Sequence, residues 1–245
     1  MEHYYPSDVP TINNYAAMKK FILLSLAMML FFSASLKSQE LGTSFSYFFP
    51  KNGYFSIPVA PVSIRGVGFS FGKYIALNGG VSLYRISGMQ VKSDSYQFEE
   101  PLAGPFFSVL IPAQLQLILP MGNSKFKLHG GGFFYTNLGM KMQKDALHTA
   151  IMESTGAVAV SSNSSVDESA GTGWQFGADF TYYIKKDLGF NIKGRYYMGE
   201  SDYKISGDYT AAYSDGTIAQ ETLSIPDAKL DFTGLELGVG VVFKR

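Results

Sequence analysis

The C-terminal segment of the chain, residues 230–245, carries a strict alternation of residue types that few folds can accommodate. Its apolar residues occupy every second position: Leu235, Leu237, Val239, Val241 and Phe243. Glutamate and glycine fill most of the positions between them. Because successive side chains of a β-strand point to opposite faces, the segment predicts a strand with one apolar face and one small or charged face.

The same period of two recurs along most of the chain. Residues 174–184 and 188–198 both show it, and the intervening Lys185, Lys186 and Asp187 predict a tight turn. Further segments with this pattern are 41–49, 67–71, 75–83, 107–119 and 124–142. Together with the C-terminal segment, the sequence predicts eight antiparallel strands.

The lengths of the predicted connections alternate. Links near 72–75, 120–124 and 185–188 are short. The other links, near 50–62, 88–104, 143–171 and 205–229, are long and rich in small polar residues. An even number of strands joined alternately by short turns and long loops is typical of small outer-membrane barrels. In that arrangement both chain termini lie on the periplasmic side.

Two of the long loops have features of their own. Residues 145–155 predict a short helix, whereas 157–173 is a Ser, Gly and Ala stretch with little to fold around. Tyr203, Tyr209 and Tyr213 in the last loop are interpreted either as exposed contact residues or as interface aromatics of a membrane protein.

Alternation alone does not distinguish a membrane barrel from a soluble one such as a lipocalin. An eight-stranded barrel has room inside only for its own side chains, and the bulky apolar faces of all these strands exceed that room. Charged residues are 16% of the chain and aromatic residues 15%, which suits a sheet with one face in lipid. The sequence therefore predicts an all-β, eight-stranded, up-and-down transmembrane barrel with its apolar face outward.

The first residues predict a leader. Met18, Lys19 and Lys20 precede an apolar run, 21–32, that is followed by small residues up to Ser38. This order is typical of a secretory signal peptide over 18–38, with cleavage between Ser38 and Gln39. Residues 1–17 are interpreted as an upstream extension and 39–245 as the barrel domain. An uncleaved N-terminal anchor is the alternative, although the run is shorter than the ~20 residues of a spanning helix.

Four charged residues, Asp179, Lys193, Arg195 and Glu236, fall on the inward face of the last three predicted strands. A charge in a narrow interior needs a partner, because burial without one is costly. We expect an ion-pair network that plugs the lumen. A path for protons or solutes is the alternative.

Other kinds of chemistry find little support in the sequence. The chain has no Cys, and its 20 basic residues balance 20 acidic ones, so neither a cysteine site nor nucleic-acid binding is indicated. His129 and His148 lack the clustered ligands of a metal site. A lipid-modifying enzyme would need a nucleophile and base within hydrogen-bond reach, and His129 is predicted to face inward. We therefore expect no catalytic residue, metal or cofactor.

The C-terminal pattern resembles the assembly signal of outer-membrane proteins, with Leu237, Val239, Val241 and the aromatic Phe243, followed here by Lys244 and Arg245. With the leader and the eight-strand plan, residues 39–245 resemble the outer membrane protein β-barrel domain of the porin-like superfamily, in the small OmpA/OmpX-type class. The resemblance implies a Gram-negative outer membrane, insertion by the barrel-assembly machinery with periplasmic chaperones, and no shared catalytic residue.

The sequence therefore predicts a monomeric, non-enzymatic protein in contact with outer-membrane lipid and lipopolysaccharide. Its long loops would serve surface interaction or envelope structure. A narrow transport channel and a lipid-modifying barrel enzyme remain the alternatives.

Overall fold

The computed structural model describes residues 40–54, 63–168 and 170–244. The predicted extension, signal peptide and cleavage site lie outside the described residues. Within them the elements follow in this order: β1 (Glu40–Pro50), β2 (Gly53–Tyr54), β3 (Ser63–Phe71), β4 (Ile75–Ile86), β5 (Gly88–Met89), β6 (Val91–Lys92), β7 (Phe106–Met121), β8 (Ser124–Leu138), α1 (Lys144–Thr155), β9 (Ala159–Glu168), β10 (Gly171–Tyr183), β11 (Leu188–Ala212), β12 (Ile218–Ile225), β13 (Lys229–Asp231) and β14 (Gly234–Lys244).

Eight of these strands form a closed antiparallel ring, in agreement with the prediction from the sequence. Around the ring the order is β1, β3, β4, β7, β8, β10, β11 and β14. The ring closes because β14 pairs with β1 on one side and with β11 on the other. Closure satisfies the backbone donors and acceptors of every strand, which a hydrocarbon environment requires.

The outer face of the ring is apolar. Trp174 is 69% exposed and Ile192 62%, and residues in the same outward register show large exposed fractions on every strand of the ring. Examples from other strands are Phe45, Ile64, Leu77, Leu115, Leu128 and Val239. In water such a surface would be unfavourable, whereas it suits contact with lipid chains.

Short connections lie at one end of the barrel and long ones at the other. We call these the turn end and the loop end. At the turn end β3 is followed directly by β4, β7 by β8, and β10 by β11. Strand β8 ends at Leu138, earlier than the predicted 142, because Gly139 adopts a left-handed backbone with φ of 66°.

At the loop end, several predicted loops are folded. Strand β11 continues beyond the barrel to Ala212, where it pairs with β9 on one side and with β12 on the other. Helix α1 packs against β9. We call α1, β9, β12 and residues 203–212 the cap. The short helix was correctly predicted, but the expectation that residues 157–173 have little to fold around was wrong.

The cap has an apolar core. Leu147 and Ile151 of α1 are fully buried, as are Tyr203 and Ile205 of β11. Tyr209 is only 4% exposed, so neither interpretation of Tyr203 and Tyr209, as exposed contact residues or as interface aromatics, was correct. Among the described residues, no helix is both long and apolar enough to cross a membrane.

Candidate functional site

The middle of the lumen contains the four charged residues singled out in the sequence. All of them are nearly inaccessible to solvent, with exposed fractions from 0% for Glu236 to 7% for Asp179. Arg195 Nη2 lies 3.0 Å from Asp179 Oδ2, and its Nη1 lies 3.3 Å from Glu236 Oε2. Lys193 Nζ lies 3.0 Å from Glu236 Oε1. Arg195 thus bridges the two carboxylates and links strands β10, β11 and β14.

Neighbouring polar groups extend this network. Tyr197 donates its hydroxyl to Glu236 Oε2 at 2.6 Å, and Lys193 donates to Ser44 Oγ at 2.5 Å. His129 Nε2 lies 3.1 Å from Asp179 Oδ1. The lumen is therefore crossed by a connected set of hydrogen bonds that leaves each carboxylate with at least two partners.

Glycines in the wall make room for these long side chains. A Cβ at Gly177 would come within 2.8 Å of both Arg195 and His129, and one at Gly238 within 2.5 Å of Lys193. Larger residues at these positions would displace the charged side chains. The alternation of glycine with bulky apolar residues thus serves the interior as well as the outer surface.

Arg65 is a further lumen residue that the alternation did not reveal. By strict alternation it would share the outward face of Val67, yet it is 8% exposed and points inward. The reason is a β-bulge between Arg65 and Val67, where Gly66 adopts a φ of 97°. The Nη2 of Arg65 donates a hydrogen bond to Ser82 Oγ at 2.7 Å and lies 3.9 Å from Glu236 Oε2.

Above the network, toward the loop end, the lumen is filled by aromatic rings. Phe232 stacks on Phe48 at 4.9 Å and contacts Tyr135 at 4.4 Å between ring centroids. Phe133 meets Tyr197 edge to face at 5.2 Å. We call Phe48, Phe133, Tyr135, Tyr197 and Phe232 the aromatic layer. It belongs to the same apolar cluster as the cap core, so the layer and the cap close the loop end together.

A second group of charges lies toward the turn end. Glu40, the first described residue, accepts hydrogen bonds from Lys125, Lys127 and Tyr183. These residues belong to β8 and β10, on the far side of the lumen from β1. Glu40 therefore connects the start of β1 to β8 and β10 across the lumen at the turn end.

The cap and the neighbouring loops at the loop end contain polar contacts outside the barrel. His148 Nε2 lies 2.9 Å from Ser162 Oγ. Within the described residues, His148 has no hydrogen bond to a carboxylate. The backbone N–H of Asp94 donates to Asp227 and lowers the pKa of that carboxyl below its ordinary value. The hydrogen bond from Tyr209 to Glu221 raises the pKa of the tyrosine. In the described part of the chain, no cluster of three or more His, Asp or Glu residues is placed to hold a metal ion.

The residues that resemble an assembly signal lie on the outer face of β14. Leu237, Val239 and Phe243 are exposed, and Val241 is half-buried. Strand β14 is one partner in the pairing that closes the ring. The role of this segment in assembly stays a prediction.

Comparison with known proteins supports this architecture by similarity of structure and not by similarity of sequence. No family model and no curated protein matches the sequence. The outer membrane protein OprG from Pseudomonas aeruginosa is similar in structure, with a TM-score of 0.54 at 11% identity over 85% of this chain and 95% of that one. The chain has the fold of an outer-membrane β-barrel protein.

Two further solved barrels resemble the chain more distantly. The outer membrane protein AlkL matches with a TM-score of 0.43 at 11% identity, over 100% of this chain and 97% of that one. The attachment invasion locus protein Ail of Yersinia pestis matches with a TM-score of 0.36 at 9% identity, over 85% of this chain and 97% of that one.

Proposed function

We propose that this chain is a closed, non-enzymatic outer-membrane barrel that presents a folded cap at the cell surface, for surface interaction or envelope structure. The observation that carries the proposal is the filled lumen. Two successive barriers, the charged network around Arg195 and the aromatic layer around Phe232, span the interior. A barrel closed in this way offers its cap, rather than its interior, to partners.

The orientation is part of the proposal. Short turns of small outer-membrane barrels face the periplasm and long loops face outward. With that orientation both termini are periplasmic and the cap is extracellular, and the barrel wall contacts outer-membrane lipid and lipopolysaccharide. Insertion by the barrel-assembly machinery with periplasmic chaperones and a monomeric state belong to the same proposal.

Among the described residues, neither a transport channel nor a lipid-modifying enzyme has a matching site. A transport channel needs a continuous path, but the buried charges here are paired across the lumen. An acyl-transfer enzyme needs a base that is oriented by a third group, and the His148–Ser162 pair has no carboxylate partner among the described residues.

Electrical recording tests the closed lumen. We expect the purified protein, inserted in a planar bilayer, to show no stable unitary currents, because ions would have to displace both barriers. Insertion is checked in the same preparation by heat-modifiable gel migration, in which folded and boiled barrels run differently. Stable unitary currents that Arg195→Met or Glu236→Gln changes would contradict the proposal and favour a narrow channel.

A further inference from the structure

The outer wall of the barrel is indented at the level of Trp174. A pocket of about 600 Å³ opens there, and its lining comes from β8, β10, β11 and the link between β13 and β14. Gly132, Trp174 and Met198 line it and are direct register partners on three neighbouring strands. The side chains of Trp174 and Met198 are exposed on the outward face. The pocket therefore opens to the surroundings of the barrel and not to the lumen.

Glycines form the floor of this pocket. On β8 the outward position of Gly132 has no side chain, whereas the next outward residue is Phe134. Gly173 and Gly199 are direct register partners, and a Cβ on them would come within 2.6 and 2.7 Å of Phe133 Cζ. The wall is therefore a bare backbone at this place, and the ring of Phe133 from the aromatic layer packs against it from inside.

The rim of the pocket toward the loop end is polar. Thr172 and Glu200 are direct register partners that line it. Glu200 Oε1 lies 3.6 Å from Lys92 Nζ, and its Oε2 lies 3.9 Å from Lys229 Nζ. Both lysines are about half exposed and face each other directly on β6 and β13, where like charges are unfavourable. Because Lys92 also pairs with Asp231 at 2.9 Å, Lys229 is the less compensated of the two.

The pocket is continuous with the apolar face that meets lipid, because Trp174 and Met198 belong to that face. An unfilled pocket on a lipid-facing wall forfeits dispersion contacts, and an acyl chain is the group beside it that can fill it. From the pocket toward the loop end, apolar lining gives way to hydroxyl, carboxylate and ammonium groups. Acyl chains and head groups follow the same order in a membrane leaflet. The occupant that fits is therefore a membrane lipid.

We propose that this pocket holds one acyl chain of lipid A, the membrane anchor of lipopolysaccharide, with a lipid A phosphate at the ammonium groups of Lys229 and Lys92. The inference rests on the proposed function, in which the loop end lies at the outer leaflet. The two lysines favour lipid A over phosphatidylethanolamine, because the head group of phosphatidylethanolamine carries its own ammonium beside the phosphate. The site fixes one lipid molecule beside the cap.

Native mass spectrometry of the full chain, folded in detergent, counts the bound lipid molecules. The same preparation is checked by heat-modifiable gel migration and then titrated with lipid A or with phosphatidylethanolamine. We expect one lipid A molecule to bind, with an affinity roughly tenfold or more above that of phosphatidylethanolamine.

Two matched glycine variants locate the acyl chain. Gly132→Leu fills the pocket without a backbone clash, since the nearest atom to an added Cβ is the Gly173 carbonyl oxygen at 3.7 Å. It should weaken lipid A binding about tenfold or more, because the leucine occupies the space of the chain. Gly130→Leu adds the same side chain at the preceding outward position, which has similar room and is outside the pocket lining, and it should leave the affinity unchanged.

A lysine variant locates the phosphate and keeps the proposal testable if Gly132→Leu does not fold. Lys229→Gln should weaken lipid A binding about fivefold and leave phosphatidylethanolamine binding unchanged. Lys185→Gln, which removes an exposed lysine at the turn end, should change neither.

Equal lipid A affinities of wild type, Gly132→Leu and Lys229→Gln would overturn the proposal. Equal binding of both lipids by wild type would overturn the assignment to lipid A. Failure of the proposed function has separate signs: a band that heating does not shift contradicts the membrane barrel, and stable unitary currents contradict the closed lumen.

Discussion

Replacing Arg195 with methionine is expected to lower the free energy of unfolding by about 3–5 kcal/mol. Arg195 is 2% exposed and bridges Asp179 and Glu236 at 3.0 and 3.3 Å. Without it, Asp179 remains buried with only the imidazole of His129 as a partner. The measurement is a urea titration in lipid vesicles, followed by the fluorescence of Trp174, the single Trp of the chain.

Two further proteins make this test specific. Arg85→Met removes an exposed arginine and should change the unfolding free energy by no more than about 0.5 kcal/mol. Combining Arg195→Met with Asp179→Asn removes the carboxylate that lost its partner, so it should recover at least half of the loss. A double variant as unstable as the sum of the two single ones would show that Arg195 and Asp179 do not act as a pair.

Replacing Phe232 with alanine is expected to destabilise the protein by about 3–5 kcal/mol. The ring is fully buried and lies between Phe48 and Tyr135, where the aromatic layer meets the cap. Truncation leaves a cavity that the surrounding rings, which are fixed on three different strands, cannot fully collapse to fill. The same urea titration measures the loss.

The matched control for Phe232→Ala is Ile218→Ala, at a cap position that is 71% exposed, and its effect should stay within about 0.5 kcal/mol. Phe232→Ala should also remain free of unitary currents, because the Arg195 network still crosses the lumen below it. Currents in this variant alone would mean that the aromatic layer is the sole barrier, and an unfolding free energy equal to wild type would contradict the structure of the layer.

The barrel could be predicted from the sequence because its two faces meet different environments. Each strand of the ring repeats the same outward apolar pattern, so Trp174, Leu237 and their equivalents indicate both the strand and its direction. The inward placement of Asp179, Lys193, Arg195 and Glu236 followed from the same pattern. Which atoms meet inside the lumen depends on strand register, and a single sequence does not specify register.

The parts that were not predicted depend on contacts between distant residues. Arg65 turns inward through a bulge at Gly66, and the sequence signal for it was an arginine next to glycine on an otherwise apolar face. Strand β9 is rich in serine and gains its structure from β11 and α1 rather than from its own pattern. Tyr203 and Tyr209 looked like exposed loop residues because the extension of β11 was not anticipated.

The most direct test of the central claim, that the apolar outer face of the barrel meets lipid, uses the fluorescence of Trp174, which is 69% exposed on that face. A second protein combines Trp174→Phe with Ile192→Trp. It moves the single tryptophan from β10 to an outward position on β11. In vesicles of lipids brominated on their acyl chains, we expect strong quenching of both proteins and little quenching by acrylamide in water. Strong quenching by acrylamide with no effect of the brominated lipids would contradict the account.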